Sequence, residues 1–172
     1  GFVVGVSSGC TYLPFFLLDD TCKYASCYGS GKVKWDGNFV DGEKDGEWVL
    51  YYESGKVEWV GNFVDDKREG VGVAYYESGK VEYEVNFVDD QKEGEEVGYY
   101  ESGKVMVVGN YVHGEEEGEG IWYYESGKVE KEGNFVDGKK DGKRVEYYEN
   151  GKLSDEDIYQ NGKCIELCEG DE

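Results

Sequence analysis

Hydrophobic and polar positions alternate from Lys56 to Val64. Val57, Trp59, Gly61 and Phe63 point one way; Glu58, Val60, Asn62 and Val64 point the other. A period of two predicts a β-strand. Asp65-Asp66-Lys67-Arg68-Glu69-Gly70 is polar and ends in glycine, which predicts a turn. Val71 to Tyr76 predicts a second strand with Val71, Val73 and Tyr75 on one face. Glu77-Ser78-Gly79-Lys80 then predicts a tight hairpin turn, its glycine supplying a positive φ. The whole order returns every 24 residues: Tyr51-Tyr52-Glu53-Ser54-Gly55-Lys56-Val57 recurs from Tyr75, Tyr99 and Tyr123, in altered form from Tyr147, and weakly from Tyr28. A strict period of this size predicts stacked repeats that each bury their apolar side on a neighbour. The expected fold is all-β: an elongated, single-layer antiparallel β-meander or solenoid of six 24-residue hairpin repeats.

Columns drawn through the copies separate fixed positions from free ones. The turn glycine is present in all six, from Gly31 to Gly151. Phe39, Phe63, Phe87, Tyr111, Phe135 and Tyr159 form an aromatic column. Val33, Val57, Val81, Val105, Val129 and Leu153 form a second apolar column, and Val49, Val73, Val97, Ile121 and Val145 a third. These three are the expected core. The Trp59 column drifts through Trp35, Tyr83, Val107, Lys131 and Asp155, which places it near an edge or in partial exposure. Adjacent strand residues face opposite ways, so the Tyr pairs split. Tyr51, Tyr75, Tyr99, Tyr123 and Tyr147 follow the valines inward; Tyr52, Tyr76, Tyr100, Tyr124 and Tyr148, with Tyr28, face the other side. That second column is either a ladder that stiffens the sheet or an aromatic stripe that grips a partner.

The period divides the chain into an apolar, cysteine-containing N-terminal arm or cap over residues 1–27, a repeat array over 28–163, and an acidic, cysteine-containing C-terminal cap over 164–172. Phe2, Val3, Val4, Phe15 and Phe16 give the arm an apolar surface that could cover the first copy or reach another subunit. The sixth copy departs from the pattern, with Asp155, Asp157 and Gln160 at apolar or glycine positions, as a capping repeat would.

Trp35-Asp36-Gly37-Asn38-Phe39-Val40-Asp41-Gly42-Glu43-Lys44-Asp45-Gly46 resembles the MORN repeat, whose pattern is Tyr-x-Gly-x-Phe/Trp-x-x-Gly-Lys-x-x-Gly. Val107 to Gly120 and Lys131 to Gly142 match it similarly. The joining Tyr-Tyr-Glu-Ser-Gly-Lys looks like the bacterial variant, some of whose members are labelled antitoxin-like. The resemblance implies an antiparallel β-repeat scaffold, often self-associating. Asp66 and Asp90 stand where the pattern has a turn glycine, and Val85 where it has the mid-strand glycine. The loops are acidic where many relatives are basic, which sets the chain apart from the lipid-binding role proposed for the family.

Charge narrows the partners. With 39 acidic and 18 basic residues the net charge is -21. Such a field repels nucleic acid and anionic membrane surfaces and favours cations or basic proteins. No segment is apolar over a membrane's width. The chain begins at Gly1, as a fragment or a processed mature form would.

Catalytic chemistry finds little support. His113 is the single histidine and occupies a turn position held by Asp in other copies, with no nucleophile placed beside it. Gly29-Ser30-Gly31-Lys32 lacks the spacing of a phosphate loop. Asp41 to Gly46 and Asp137 to Gly142 superficially resemble a calcium loop, but the twelfth positions are Tyr52 and Tyr148 and the flanks are strands. No enzyme activity, cofactor or metal is expected.

All five cysteines lie outside the regular array: Cys10, Cys22 and Cys27 before it, Cys164 and Cys168 after it. Local bridges Cys22–Cys27 and Cys164–Cys168 would staple the caps and leave Cys10 for another chain; head-to-tail joining of subunits is the alternative. The resulting functional expectation is a non-enzymatic, secreted or cell-surface structural protein. It would self-associate end to end into a homo-oligomer or filament through its arm and terminal cysteines. The alternative is a monomeric protein-binding or antitoxin-like module using the Tyr face, with reduced thiols in the cytoplasm.

Overall fold

The computed structural model describes residues 22–168. The arm residues Phe2, Val3, Val4, Phe15 and Phe16, and Cys10, lie outside them. Strands are β1 Cys22–Cys27, β2 Val33–Val40, β3 Glu43–Tyr51, β4 Val57–Val64, β5 Lys67–Tyr75, β6 Val81–Val88, β7 Gln91–Tyr99 and β8 Val105–Val112. They continue as β9 Glu115–Glu116, β10 Gly118–Tyr123, β11 Val129–Val136, β12 Lys139–Lys140, β13 Gly142–Tyr147, β14 Leu153–Gln160 and β15 Lys163–Glu166. All belong to one antiparallel sheet in meander order; β9 and β12 are detached first segments of the lines continued by β10 and β13. The all-β repeat meander expected from the period is the observed fold. Among the described residues no helix is long and apolar enough to cross a membrane.

Two turns alternate. At Tyr52-Glu53-Ser54-Gly55 the Gly55 N–H donates to the Tyr52 carbonyl at 2.8 Å and the Tyr52 N–H to the Lys56 carbonyl at 2.9 Å. Gly55 has φ 91°, which is the three-residue hairpin loop that the Glu-Ser-Gly string predicts. The other turn is shorter than the polar run Asp65–Gly70 suggested. Asp65 and Asp66 both have positive φ, 49° and 67°, so the chain reverses in two residues, as in a type I′ turn. Strand β5 already starts at Lys67. Gly70, at φ 79°, is a bulge inside the strand rather than the end of a turn.

That bulge changes which residues share a face. Trp59 pairs with Ala74 and Gly72 with Val85, so the buried side carries Trp48, Phe63, Ala74, Val85 and Phe87. Val71, expected on the core face, is 61 % exposed on the opposite face. The aromatic column is the core, as expected. The Val73 column is half-buried on the opposite face, reaching burial only at Val145. The Tyr51 column follows it there: the Tyr99 hydroxyl donates to Glu84 and that of Tyr147 to Glu132. The Trp59 column is partly exposed in every copy, as expected. It lies on the aromatic face, where Trp59 covers Gly61 and Gly72 and Val107 packs against Gly98.

Copies are tied along both rows of turns. The hydroxyls of Tyr28, Tyr52, Tyr76, Tyr100 and Tyr124 donate to the carbonyls of Tyr51, Tyr75, Tyr99, Tyr123 and Tyr147 at 2.5–2.7 Å. Each such bond is worth about 1 kcal/mol. On the other row, the N–H groups of Asp66, Asp90, Gly114, Gly138 and Gly162 donate to carbonyls of the preceding copy. Where Asp replaces the turn glycine, its carboxylate accepts a further bond, from the Lys44 N–H to Asp66 and from the Arg68 N–H to Asp90. The hydrogen bond offsets the cost of a non-glycine residue at positive φ.

Candidate binding face

The aromatic face repeats three positions that decide its relief. The first is a floor column at mid-strand: Gly37, Gly61, Val85, Gly109, Gly133 and Asp157. In the early copies this floor is covered. Trp48 lies across from both Gly37 and Gly61, and a Cβ on Gly37 would sit 2.3 Å from its ring. Trp48 in turn stacks on Trp35 at 4.8 Å between ring centroids. Trp59 folds over Gly61, and Val85 fills its own position at 2 % exposure. In the later copies the cover is withdrawn. A Cβ on Gly109 would meet nothing within 4 Å, and one on Gly133 would meet only Arg144, 3.8 Å away.

Two adjoining concavities result, of about 190 and 240 Å³. Glu116, Trp122 and Phe135 line both and form the partition. The first, over Gly109, is lined by Tyr111, Trp122 and Phe135 and by Glu96, Glu116, Glu117 and Glu119, with no basic side chain. Burial, together with Glu96 and Glu116, pushes the Tyr111 hydroxyl up to about 12, so it stays protonated across the physiological range. The second, over Gly133, mixes charges, and its cations are engaged. Lys131 lies 4.3 Å over Trp122 and Lys140 lies 4.7 Å over Tyr159. Lys143 pairs with Glu156 at 2.9 Å. Arg144 reaches Asp157 at 3.0 Å, Asp155 at 3.7 Å and Glu146.

The second repeating position is the aromatic column itself. The third is a cation column in β3, β5, β7 and β12: Lys44, Arg68, Lys92 and Lys140 lie over the next copy's Phe63, Phe87, Tyr111 and Tyr159, at 4.3–4.8 Å from each ring. The sequence columns considered earlier omitted Glu116, Trp122, Phe135 as a group, and this cation column. Aligning Lys44 with Glu116 across the copies is the signal that would have found it.

Several expected site residues fall elsewhere. Tyr52, Tyr76, Tyr100 and Tyr124 are half-buried, with their hydroxyls committed to the ladder; only Tyr148, at the end of the row, is exposed, at 56 %. The column is therefore built into the sheet as its ladder, and the groove lies on the aromatic face. His113 is exposed in its turn, with its N–H bonded to Glu93. Among the described residues no cluster of His, Cys, Asp and Glu could hold a metal ion.

Cys164 and Cys168 form a disulfide. The bridge expected between Cys22 and Cys27 does not form. Both lie on extended β1, where five steps of ~3.3 Å separate their Cα atoms by roughly 16 Å, far beyond the ~7 Å limit. Cys27 is nevertheless disulfide-bonded.

Five tandem segments match the MORN repeat variant: residues 44–65, 68–89, 92–113, 116–137 and 140–161. The chain belongs to the MORN repeat variant family. Residues 28–43 of the first copy lie before the matched segments. Each segment begins at the column Lys44, Arg68, Lys92, Glu116 and Lys140 and closes on the first residue of the next copy's two-residue turn. The five segments thus coincide with the five internal column-to-turn units of the sheet. MORN repeat proteins form scaffolds that commonly mediate protein interactions. No curated protein matches the chain. Among solved structures, a similarity is found to accessory secretory protein 1, 2 and 3 of Streptococcus pneumoniae, with 13 % identity and a TM-score of 0.23 over 76 % of this chain and 19 % of that one. Another is found to a GtfA/B complex bound to UDP and GlcNAc, with 11 % identity and a TM-score of 0.21 over 90 % of this chain and 27 % of that one. Both scores are far below 0.5, and neither likeness bears on the function of this MORN protein.

Proposed function

We propose that this MORN protein is a non-enzymatic scaffold that holds an extended basic segment of a partner protein in the open part of its aromatic face. One observation carries the reading. Over Gly109 the sheet presents three aromatic rings with the carboxylates of Glu96, Glu116 and Glu117, and no basic side chain lines the concavity, in a chain of net charge -21. Glu119, paired with Asn134 as Val71 is with Asn86, points to the other face. Apolar rings supply contact area, carboxylates supply charge complementarity, and the bare glycine supplies depth. The non-catalytic part rests on the exposed, turn-bound position of His113 and the use of the recurring Ser and Gly residues in turns. The disulfides at Cys27 and at Cys164–Cys168 support an oxidising, secreted or cell-surface setting.

The test uses a variant that fills the floor without changing charge. Gly109→Leu is sterically admissible, because its Cβ meets open space. A fluorescein-labelled Gly-Arg repeat peptide, followed by anisotropy at about 0.15 M salt to screen the long-range field, is expected to bind the parent and to lose about tenfold or more in affinity for Gly109→Leu. Equal binding by both proteins contradicts the reading. So does a Gly109→Leu effect confined to sedimentation of the chain alone, which would make the face a contact between copies.

A second reading, end-to-end self-association, is favoured by the C-terminal end of the sheet. Tyr148, Leu153, Ile165 and Leu167 are 53–59 % exposed there. The equivalents of Tyr148 and Leu153 in the four preceding copies, Tyr52 to Tyr124 and Val57 to Val129, are half-buried. Concentration-dependent sedimentation that is lost on changing Leu153 and Ile165 to Ser supports it, and a concentration-independent monomer contradicts it.

A further inference from the structure

The cation column has one break. In the order Lys44, Arg68, Lys92, Glu116, Lys140, four positions place a positive charge 4.3–4.8 Å from the ring of the next copy. The fifth places a carboxylate beside Phe135. The backbone does not cause the difference. Glu116 pairs across the sheet with Tyr111 in the register by which Arg68 pairs with Phe63 and Lys92 with Phe87. Side-chain chemistry alone has been reversed. The reversal falls on the partition between the two concavities, where Glu116, Trp122 and Phe135 meet. No hydrogen bond or ion pair of the Glu116 side chain is present among the described residues, whereas Glu96 in the same concavity is engaged with Lys92.

A ring face attracts a cation, and the attraction grows when the site is shielded from water. Elsewhere in this sheet the cation is internal. At Phe135 the internal cation is missing and its place is open to solvent through the concavity. The position also carries a carboxylate suited to pair with an incoming charge.

We propose that Glu116, Phe135 and Trp122 form a receptor for one arginine or lysine side chain of the partner. That side chain supplies in trans the cation that the other copies supply internally. This inference rests on the reading that the face over Gly109 binds a basic segment, and it names the position at which that segment is anchored. The guanidinium or ammonium sits over Phe135 and pairs with Glu116, with Trp122, whose ring already carries Lys131, bordering the site.

The decisive comparison is Glu116→Lys against Glu115→Lys. Both change the net charge equally, and Glu115 is exposed in the same short strand but outside either concavity. Glu116→Lys restores the cation column from within. It is expected to reduce binding of the labelled Gly-Arg peptide about tenfold or more, with Glu115→Lys within about twofold of the parent. It is also expected to melt about 2 °C above Glu115→Lys, because the column is then complete. Glu116→Gln, which keeps the size and removes the charge, is expected to fall between them in affinity. Equal peptide binding by the two lysine variants overturns the receptor and leaves only the general field. If Gly109→Leu loses binding while Glu116→Lys keeps it, the face is a binding surface but the anchor is not at Glu116. If neither changes binding, the reading of the face fails as well.

Discussion

Arg144→Met is expected to lower stability by about 3–5 kcal/mol, the loss found when one partner of a buried ion pair is removed. Arg144 projects from β13 onto the aromatic face, and its guanidinium reaches carboxylates on two strands, Glu146 on its own and Asp155 and Asp157 on β14. Asp157 is 5 % exposed and stands in the floor column where other copies have glycine or valine. One of its oxygens takes the Arg144 bond, with the Tyr159 hydroxyl at 3.3 Å; the other has no hydrogen-bond partner. Methionine keeps much of the stem's packing and removes the charge, so Asp157 is left buried without a counter-ion. Urea unfolding followed by Trp fluorescence gives the value. A loss below about 1 kcal/mol would mean the network contributes no more than a surface pair. Arg144→Met with Asp157→Val should recover most of the loss, because Val85 shows that the floor accepts valine.

The second large effect is a contrast within one column. Gly37→Ala is expected to cost about 1–3 kcal/mol, because the new Cβ would lie 2.3 Å from the Trp48 ring. That ring is 3 % exposed and is held between Trp35 and Phe63, with its indole N–H bonded to the Asn38 carbonyl at 3.1 Å. It has little room to move. Gly109→Ala, three copies later, is expected to gain about 0.4–1 kcal/mol. Its Cβ meets open space, its φ is not in the left-handed region, and alanine narrows the unfolded ensemble. Opposite signs at equivalent positions would establish that the floor is covered early in the chain and bare late. Losses of equal size would show that the glycines answer a common backbone need instead.

The period, the strand count and the aromatic column were legible because they depend on spacing, which repetition amplifies. The glycine of each Glu-Ser-Gly turn announced its own positive φ. Parity was less legible. Asp65 and Asp66 read as part of a long polar loop, yet two adjacent residues at positive φ complete the reversal and start β5 at once. A single bulge at Gly70 then moves Gly72 and Ala74, rather than Val71 and Val73, onto the buried face. Hydrophobicity alone could not show this, since valine outnumbers glycine on the face that is less buried. The Tyr column carried two readings in sequence, and the hydroxyl-to-carbonyl bonds place it as a ladder. The candidate face was legible only as a departure: Glu116 among four cations, and Gly109 with no covering ring.

The Trp122 indole N–H resonance, followed by NMR while the unlabelled Gly-Arg peptide is added, tests the claim that this open face holds a basic partner. Trp122 lines both concavities, whereas Trp48 lies buried in the covered half. The Trp122 signal is expected to shift and saturate while those of Trp35, Trp48 and Trp59 stay in place. No shift at Trp122, or equal shifts of all four, would contradict it.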